Sequence, residues 1–290
     1  MKIKIVFVLF VLLALGWFGI TYDKGASPKV SVLMLTYERA NVLSEAVDSI
    51  LNQTYKDFEL VIVNDGSTDN TDEVVENYAK KDKRIRYYKN RENKGIPFSR
   101  NRALSLSRGE YVMFMDDDDF SYPTRLEKQV MYLEKRKDID VVVGQIEGGE
   151  RVDLEHDNIV SYLISFNNIG NVNIMFRNDF VKKHKIKFDE SFVVSEDWDF
   201  WLQMAFNGAK FGGIEDVVLK RNWKSKKFYN SSNFETNNPQ IRKKIGLFFS
   251  PKDSEIFYRA SSCRKLFMIK RKNIISDEFY KKSRTANNCF

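Results

Sequence analysis

Only two cysteines, Cys263 and Cys289, and two histidines, His156 and His184, occur in 290 residues. The cysteines are too few for a disulfide scaffold or a thiolate zinc site, and the histidines have no metal-ligand spacing. Free thiols and surface imidazoles are expected. Glycine and proline are sparse, at 14 and 5, and no G-x-G-x-x-G or G-x-x-x-x-G-K-[ST] sequence follows any strand-like run. This excludes the dinucleotide and ATP fingerprints that cradle phosphates on backbone N–H groups. A nucleotide, if one binds, must be held by side chains and a metal. No nucleic-acid-binding motif is present, so nucleic acid is not an expected partner.

Charge of one sign is scarce at the carboxyl end. From Arg221 onward there are 17 Lys and Arg against 5 Asp and Glu, whereas the whole chain carries only +7. Residues 223–290 therefore form a basic extension, with Phe228, Tyr229, Phe248, Phe249, Phe257 and Tyr258 among the lysines. Amphipathic helices with solvated lysines are the plain reading, and apposition to anionic lipid is the alternative.

One long apolar run exists, from Ile3 to Ile20, interrupted only by Lys4 near its start. It is near the lower length limit for a bilayer span. It ends in Gly16-Trp17-Phe18-Gly19-Ile20-Thr21-Tyr22, which fits an interfacial aromatic belt better than a small-residue cleavage site. Residues 1–22 are expected to be a single-pass transmembrane anchor, with a removed signal sequence as the alternative. Membrane contact through this span is expected.

The most informative feature is Asp116-Asp117-Asp118-Asp119, directly after the apolar run Tyr111-Val112-Met113-Phe114-Met115. A buried strand that delivers several carboxylates to one point suits a hard cation such as Mg²⁺ or Mn²⁺, which binds carboxylate oxygens together with substrate phosphates. The alternative is a solvated acidic loop before the helix that starts near Pro123.

Upstream, strand and helix patterns alternate. Val30 to Leu35 is a strand, Asn41 to Asn52 a helix with Ala46, Val47, Ile50 and Leu51 on one face, and Phe58 to Val63 a strand. A helix over Thr71 to Lys81, capped by Asp69 or Asn70, follows. Then come a strand over Ile85 to Tyr88 and a helix over Phe98 to Ser107 closed by Gly109. This order predicts an α/β fold with a mainly parallel, Rossmann-like sheet covered by helices on both faces. Ligands of such sheets bind at the carboxyl ends of the strands, where three polar clusters fall: Thr36 to Arg39, Asp65 to Ser67 and Asp116 to Asp119.

With these elements in order, residues 29–222 resemble the inverting GT-A glycosyltransferases of family 2, which use nucleotide-diphosphate sugars. The resemblance rests on Val30-Ser31-Val32 to Thr36-Tyr37, on Val61-Ile62-Val63-Asn64-Asp65-Gly66-Ser67-Thr68-Asp69 and on Asn93-Lys94-Gly95. It continues through Ser99-Arg100-Asn101, Phe114 to Asp119 and Ser195-Glu196-Asp197-Trp198-Asp199-Phe200-Trp201. It implies that Thr36, Tyr37 and Glu38 line the nucleotide pocket beside Asp65, which contacts the base; Glu38 stands where relatives often carry Asn. It further implies that Arg100 donates to the diphosphate, that Asp116 and Asp117 lie at the nucleotide, and that Asp116 and Asp118 hold Mn²⁺ or Mg²⁺. The acid pair Glu196 and Asp197 sits at the acceptor side, with Asp197 as the expected base. Trp198 and Trp201 either stack on a sugar or belong to the core.

The expected activity is an inverting transfer from a nucleotide-sugar donor, a UDP-sugar first, to a hydroxyl of a glycan, lipid or protein acceptor. The Gln-x-x-Arg-Trp sequence of processive synthases is absent, which points to a non-processive enzyme. The alternative is a catalytically inactive sugar- or nucleotide-binding module of the same fold. Donor supply places such a transferase in a Golgi lumen if eukaryotic, or on the cytoplasmic face of the membrane if bacterial or viral. Acceptor pockets are built from loops, here Gln145 to Asn173, and carry no readable code.

Overall fold

The computed structural model describes residues 27–222 apart from 166 and 168, together with Gln240, Ile241, Lys244, Ile275 and Asp277. The expected anchor over 1–22 and most of the extension over 223–290 lie outside the described residues, as do both cysteines. Among the described residues no helix is long and apolar enough to cross a membrane.

The first half of the domain alternates strand and helix as the apolar pattern predicts. Its elements are β1 (Val30–Thr36), α1 (Leu43–Leu51), β2 (Phe58–Asn64), α2 (Thr71–Lys81), β3 (Ile85–Lys89), α3 (Ile96–Leu106) and β4 (Tyr111–Asp116). The second half is less regular: β5 (Phe120–Ser121), α4 (Arg125–Lys135), β6 (Val141–Ile146), α5 (His156–Ser165), β7 (Ile174–Arg177), α6 (Asn178–His184), α7 (Glu196–Phe206) and β8 (Phe211–Lys220). The eight strands form one sheet in the order β3-β2-β1-β4-β7-β6-β8-β5.

Strands β1 to β4 are mutually parallel, so Thr36, Asn64 and Asp116 finish on one edge. Strand β7 runs antiparallel between β4 and β6, with Met113 facing Met175 and Val143 facing Ile174. The leading end of β7 therefore meets that same edge. Strand β5 is also antiparallel, against β8.

Alternation along the strands divides the core between two faces. Val30, Val32, Met34, Leu60, Ile62, Tyr111 and Met113 pack with Leu43, Val47 and Ile50 of α1 and Leu126 and Val130 of α4. Leu33, Val61, Val63, Val112 and Phe114 face the other way, onto Ala103 of α3, Leu163 of α5 and Phe200 and Trp201 of α7. Ile241 of the extension is buried in this second cluster.

At the far edge, Glu59 ties three strands together: it accepts from Ser31 Oγ at 2.6 Å, Arg86 Nη1 at 2.8 Å and Arg108 N at 2.9 Å. Gly109 has a different task from the helix closure expected of it. Helix α3 ends at Leu106 with Ser107 extended, and a Cβ on Gly109 would lie 2.5 Å from Ser31 N. Its lack of a side chain lets the turn before β4 lie against β1. The stretch expected as a loop over Gln145 to Asn173 contains α5, and a turn at 171–173 leads into β7.

Candidate active site

At the end of β4 the chain leaves the extended conformation in a turn at Asp117 and Asp118. The turn brings carboxylate oxygens of Asp116, Asp118 and Asp119 within 4.8 Å of one another. Asp116 and Asp118 are thus together, as their spacing suggests, and Asp119 joins them where strict alternation would have sent it away. Asp119 also accepts from Asn222 N at 2.9 Å, which fixes the exit of β8 against the cluster. Three converging carboxylates with oxygen donors alone fit Mn²⁺ or Mg²⁺.

Asp117 points elsewhere and is buried. Burial pushes its carboxyl up to about 7; the Thr36 hydroxyl and Arg39 oppose the rise, and Asp118 and Asp116 add to it. Arg39 Nη1 lies 3.4 Å from Asp118 Oδ2, so a fixed cation already shares the acidic turn. Beneath it, Arg125 is fully buried, and burial lowers its guanidinium to about 9 while the charge of Asp119 works the other way. Its Nε donates to Gln129 Oε1 at 3.1 Å.

Asp65, at the end of β2, is buried and holds the segment leading into α3. Its Oδ1 accepts from Asn90 Nδ2 at 2.6 Å and Lys94 N at 2.9 Å, and its Oδ2 from Gly95 N at 2.8 Å. Gly66 follows at φ +83°, and a Cβ there would lie 2.5 Å from the Glu92 carbonyl carbon, so only glycine suits the position. Thr36 is buried at the end of β1, whereas Tyr37, next along the chain, is 44% exposed. Glu38 adopts φ 54° and turns its carboxylate to Thr68, accepting from N at 2.7 Å and Oγ1 at 3.1 Å. It braces two loops and does not point at the acidic turn.

Across the cleft, Arg100 is committed to the acid pair. Its Nη1 donates to Glu196 Oε1 at 2.5 Å, and its guanidinium lies over the rings of Phe188 and Phe114 at 5.3 and 5.9 Å. Asp197 stands next, at the first turn of α7 behind Ser195, which takes the left-handed φ of 65°. Burial pushes the Asp197 carboxyl up to about 6. Glu196 adds to the rise, Arg100 and the Trp198 N–H oppose it, and Asp116 adds the last increment. Asp116 of the acidic turn is therefore an electrostatic neighbour of Asp197. A carboxylate raised in this way is still ionised at neutral pH and is a stronger base than an exposed aspartate.

Trp198 and Trp201 belong to the core: Trp198 Nε1 donates to Leu163 O at 2.7 Å, and Trp201 is fully buried. His156 accepts from Phe211 N at 3.0 Å and stacks on that ring, and His184 stacks on Phe180, so neither joins the site. Sequence reasoning placed Arg39 in a strand-end cluster without its pairing to Asp118, and it missed the roles of Asn90 and Asn222. Each acts on a residue 25 to 103 positions away, and no local spacing signals such a contact.

The structure thus brings together the buried Asp65 after β2, the three-carboxylate cluster after β4 and, on α7, Asp197 with its raised pKa. Residues 31–193 match the family model described as glycosyl transferase family 2. An uncharacterized glycosyltransferase of Methanocaldococcus jannaschii is 37% identical over 205 residues, which are 67% of this chain and 70% of that protein. Among solved structures, Staphylococcus aureus TarS 1-349 in complex with UDP-GlcNAc aligns at a TM-score of 0.61 and 22% identity, over 76% of this chain and 66% of that one. The mannosyltransferase PcManGT from Pyrobaculum calidifontis, in complex with GDP-Man and Mn²⁺, aligns at 0.56 and 16% identity over 96% and 90%. The two structures share the α/β fold, and the family match covers more than half of the chain: it is a glycosyltransferase with the GT-A fold and belongs to glycosyl transferase family 2.

Proposed function

We propose that this glycosyltransferase is inverting and non-processive, moving a sugar from a UDP-sugar to a hydroxyl of a glycan, lipid or protein acceptor. The observation that carries the reading is the convergence of Asp116, Asp118 and Asp119 near a carboxylate, Asp197, raised to about 6. One group suits a leaving diphosphate and the other suits an attacking hydroxyl. The complexes of TarS with UDP-GlcNAc and of PcManGT with GDP-Man and Mn²⁺ support a nucleotide-sugar donor.

Asp65 and Tyr37 border the base side of the pocket, and Asp116, Asp118 and Asp119 would hold Mn²⁺ or Mg²⁺. When bound, the cation neutralises the negative charge that develops on the departing nucleoside diphosphate. Asp197 accepts the proton of the acceptor hydroxyl as its oxygen bonds to the anomeric carbon. The bond from that carbon to the phosphate oxygen breaks on the opposite face, and its electron pair leaves with the diphosphate. Displacement in one step inverts the anomeric configuration and needs a single base, the part Asp197 takes at the start of α7. Arg100 holds Glu196 in place through their ion pair and limits how far the Asp197 pKa rises.

The test is hydrolysis and binding of UDP- and GDP-sugars by the full chain with Mn²⁺, Mg²⁺ or EDTA. Metal-dependent turnover of one donor, lost in Asp197→Asn with binding retained, is the expected result. A folded chain that binds none of these donors with either metal overturns the assignment.

A further inference from the structure

Asn101 follows Arg100 on α3, and its side-chain amide pairs with the backbone of Phe188 in both directions. Its Nδ2 donates to Phe188 O at 2.8 Å, and its Oδ1 accepts from Phe188 N at 2.8 Å. The same Nδ2 donates to Glu190 Oε1 at 3.0 Å. A side-chain amide carries donor and acceptor side by side as a peptide group does, so Asn101 stands in for a neighbouring strand at Phe188.

Phe188 in turn bears on the helix that carries Asp197. Its ring stacks on Phe200 of α7, with centroids 4.4 Å apart and planes at 14°, and Phe200 lies about one turn beyond Asp197. From the same helix, Gln203 Nε2 donates to Lys187 O at 3.0 Å. Arg100 completes the hold: its guanidinium lies 5.3 Å from the centroid of the Phe188 ring, and its Nη1 donates to Glu196, the residue before Asp197. Two successive residues of α3 therefore fix α7 at two points, Arg100 at its first residue and Asn101 through Phe188. Between Phe188 and α7, Val193 is 88% and Val194 47% exposed. Core packing does not hold that stretch, so its course is set by the anchors on either side.

We infer that Asn101 is a positioning residue of the transfer reaction: by fixing Phe188 it sets where Asp197 stands. It acts through Asp197, and the inference rests on the proposed role of that carboxylate as the base. Rates depend steeply on such placement, since a displacement of about 1 Å can cost roughly 100-fold. Nucleotide binding should not depend on Asn101, because other contacts hold the groups assigned to it. Asp65 is fixed by Asn90, Lys94 and Gly95, and Asp119 by Asn222.

The test compares the full-length wild type, Asn101→Ala, Asn101→Asp and Asp197→Asn, with Mn²⁺ and whichever UDP- or GDP-sugar the wild type hydrolyses fastest. Turnover is measured in water alone and with added azide. Azide has no proton to lose, so it needs no base: its nitrogen bonds to the anomeric carbon while the phosphate oxygen leaves with the bonding pair. Asn101→Ala is expected to lose roughly 10- to 100-fold in kcat for hydrolysis, with KM and calorimetric UDP affinity kept within about twofold. Its azide-dependent turnover should match that of the wild type, as should that of Asp197→Asn. Where azide does not react, the Asp197→Asn background decides: Asn101→Ala should cost nothing further there, because both changes act through one carboxylate. If Asn101→Ala does not fold, Asn101→Asp carries the test, since it keeps the shape but sets a carboxylate against Phe188 O and Glu190 and should show the same split. The inference is overturned if hydrolysis is unchanged, if water and azide turnover fall by the same factor, or if the loss falls on UDP affinity. Hydrolysis by Asp197→Asn at the wild-type rate would instead remove Asp197 as the base, and the role of Asn101 falls with it.

Discussion

Arg100 of α3 and Glu196 of α7 form an ion pair at 2.5 Å, with side chains only 10% and 12% exposed. Asp197 feels the two partners with opposite sign: Glu196 raises its pKa and Arg100 lowers it. The pair therefore tunes the base from two sides, and two substitutions should move the pH profile in opposite directions. In the wild type, kcat/KM should climb through about pH 6 as Asp197 ionises. Glu196→Gln removes a negative neighbour and shifts that limb to lower pH; Arg100→Met removes a cation and shifts it higher. Breaking a buried pair by removing one partner costs roughly 3 kcal/mol, so Arg100→Met should also melt earlier. Profiles that move together would remove Asp197 as the titrating base.

The same carboxylate sets activity against stability. Its folded pKa is raised above that of an unfolded aspartate, so the stability it contributes is present at acid pH and is lost as pH rises through about 6. Asp197→Asn carries no charge to desolvate. It should therefore melt higher than the wild type at pH 8 and nearly level with it at pH 4, while turnover disappears. Thermal unfolding at the two pH values, alongside an acceptor assay, checks both halves.

Asp118 is placed among the carboxylates but shares its charge with Arg39 at 3.4 Å. Asp118→Asn should lower metal-supported kcat/KM for the donor by about 100-fold, at the upper end of what loss of a metal-holding partner costs. Calorimetry should show that the Mn²⁺-induced gain in UDP affinity is lost, with UDP binding in EDTA unaltered. Equal Mn²⁺ dependence in the variant would mean that Asp118 does not hold the ion.

Much of this was legible in the chain because apolar runs mark parallel strands directly. Thr71–Lys81 is a helix with the bounds its pattern predicts, and β1 to β4 fall on the expected runs. Legibility fades after β4. Strand β5 has two residues and β7 has four, and the antiparallel insertion of β7 is decided by packing between β4 and β6, not by periodicity. The site shows the same division. Asp116 and Asp118 announce themselves by spacing, but the inclusion of Asp119 depends on a turn that breaks alternation. Arg100 pairs with an acid 96 residues away, a contact with no spacing to read.

Glu59 anchors the edge opposite the site. Burial pushes its carboxyl up, but the Ser31 hydroxyl, the Arg108 N–H and Arg86 outweigh this and hold it below the usual range. A depressed folded pKa means stability that is present above the ordinary glutamate pKa and lost as pH falls through the lowered value. Glu59→Gln keeps the shape but loses the charge, and should cost about 2 kcal/mol at pH 7. The deficit should shrink as pH falls toward 3. Urea unfolding at pH 7, 5 and 3 measures it, and a deficit independent of pH would mean that packing, not charge, is the contribution of Glu59.

Lys244 carries the last prediction, because it joins the basic extension to Asp189 ahead of α7 and to Asp199 within it. Its Nζ lies 2.9 Å from Asp189 Oδ2 and 3.6 Å from Asp199 Oδ1. Hydrogen bonds from Lys244 and Ser191 lower the Asp189 carboxyl to about 2. Asp199 is almost fully buried; burial raises its pKa and Lys244 opposes the rise. Lys244→Met should leave Asp199 without its cation. The cost is put at about 1 kcal/mol at pH 7, because Lys244 and Asp189 remain about one third exposed and are screened by solvent. The part owed to Asp189 is present above the ordinary aspartate pKa and is lost as pH falls through about 2. Removing the chain after residue 222 should cost more than the point substitution, since it also uncovers the core that Ile241 seals. Thermal melts of wild type, Lys244→Met and the truncated chain at pH 7 give the order. If the truncated chain melts with the wild type, the extension does not hold the segment around Asp189 in place.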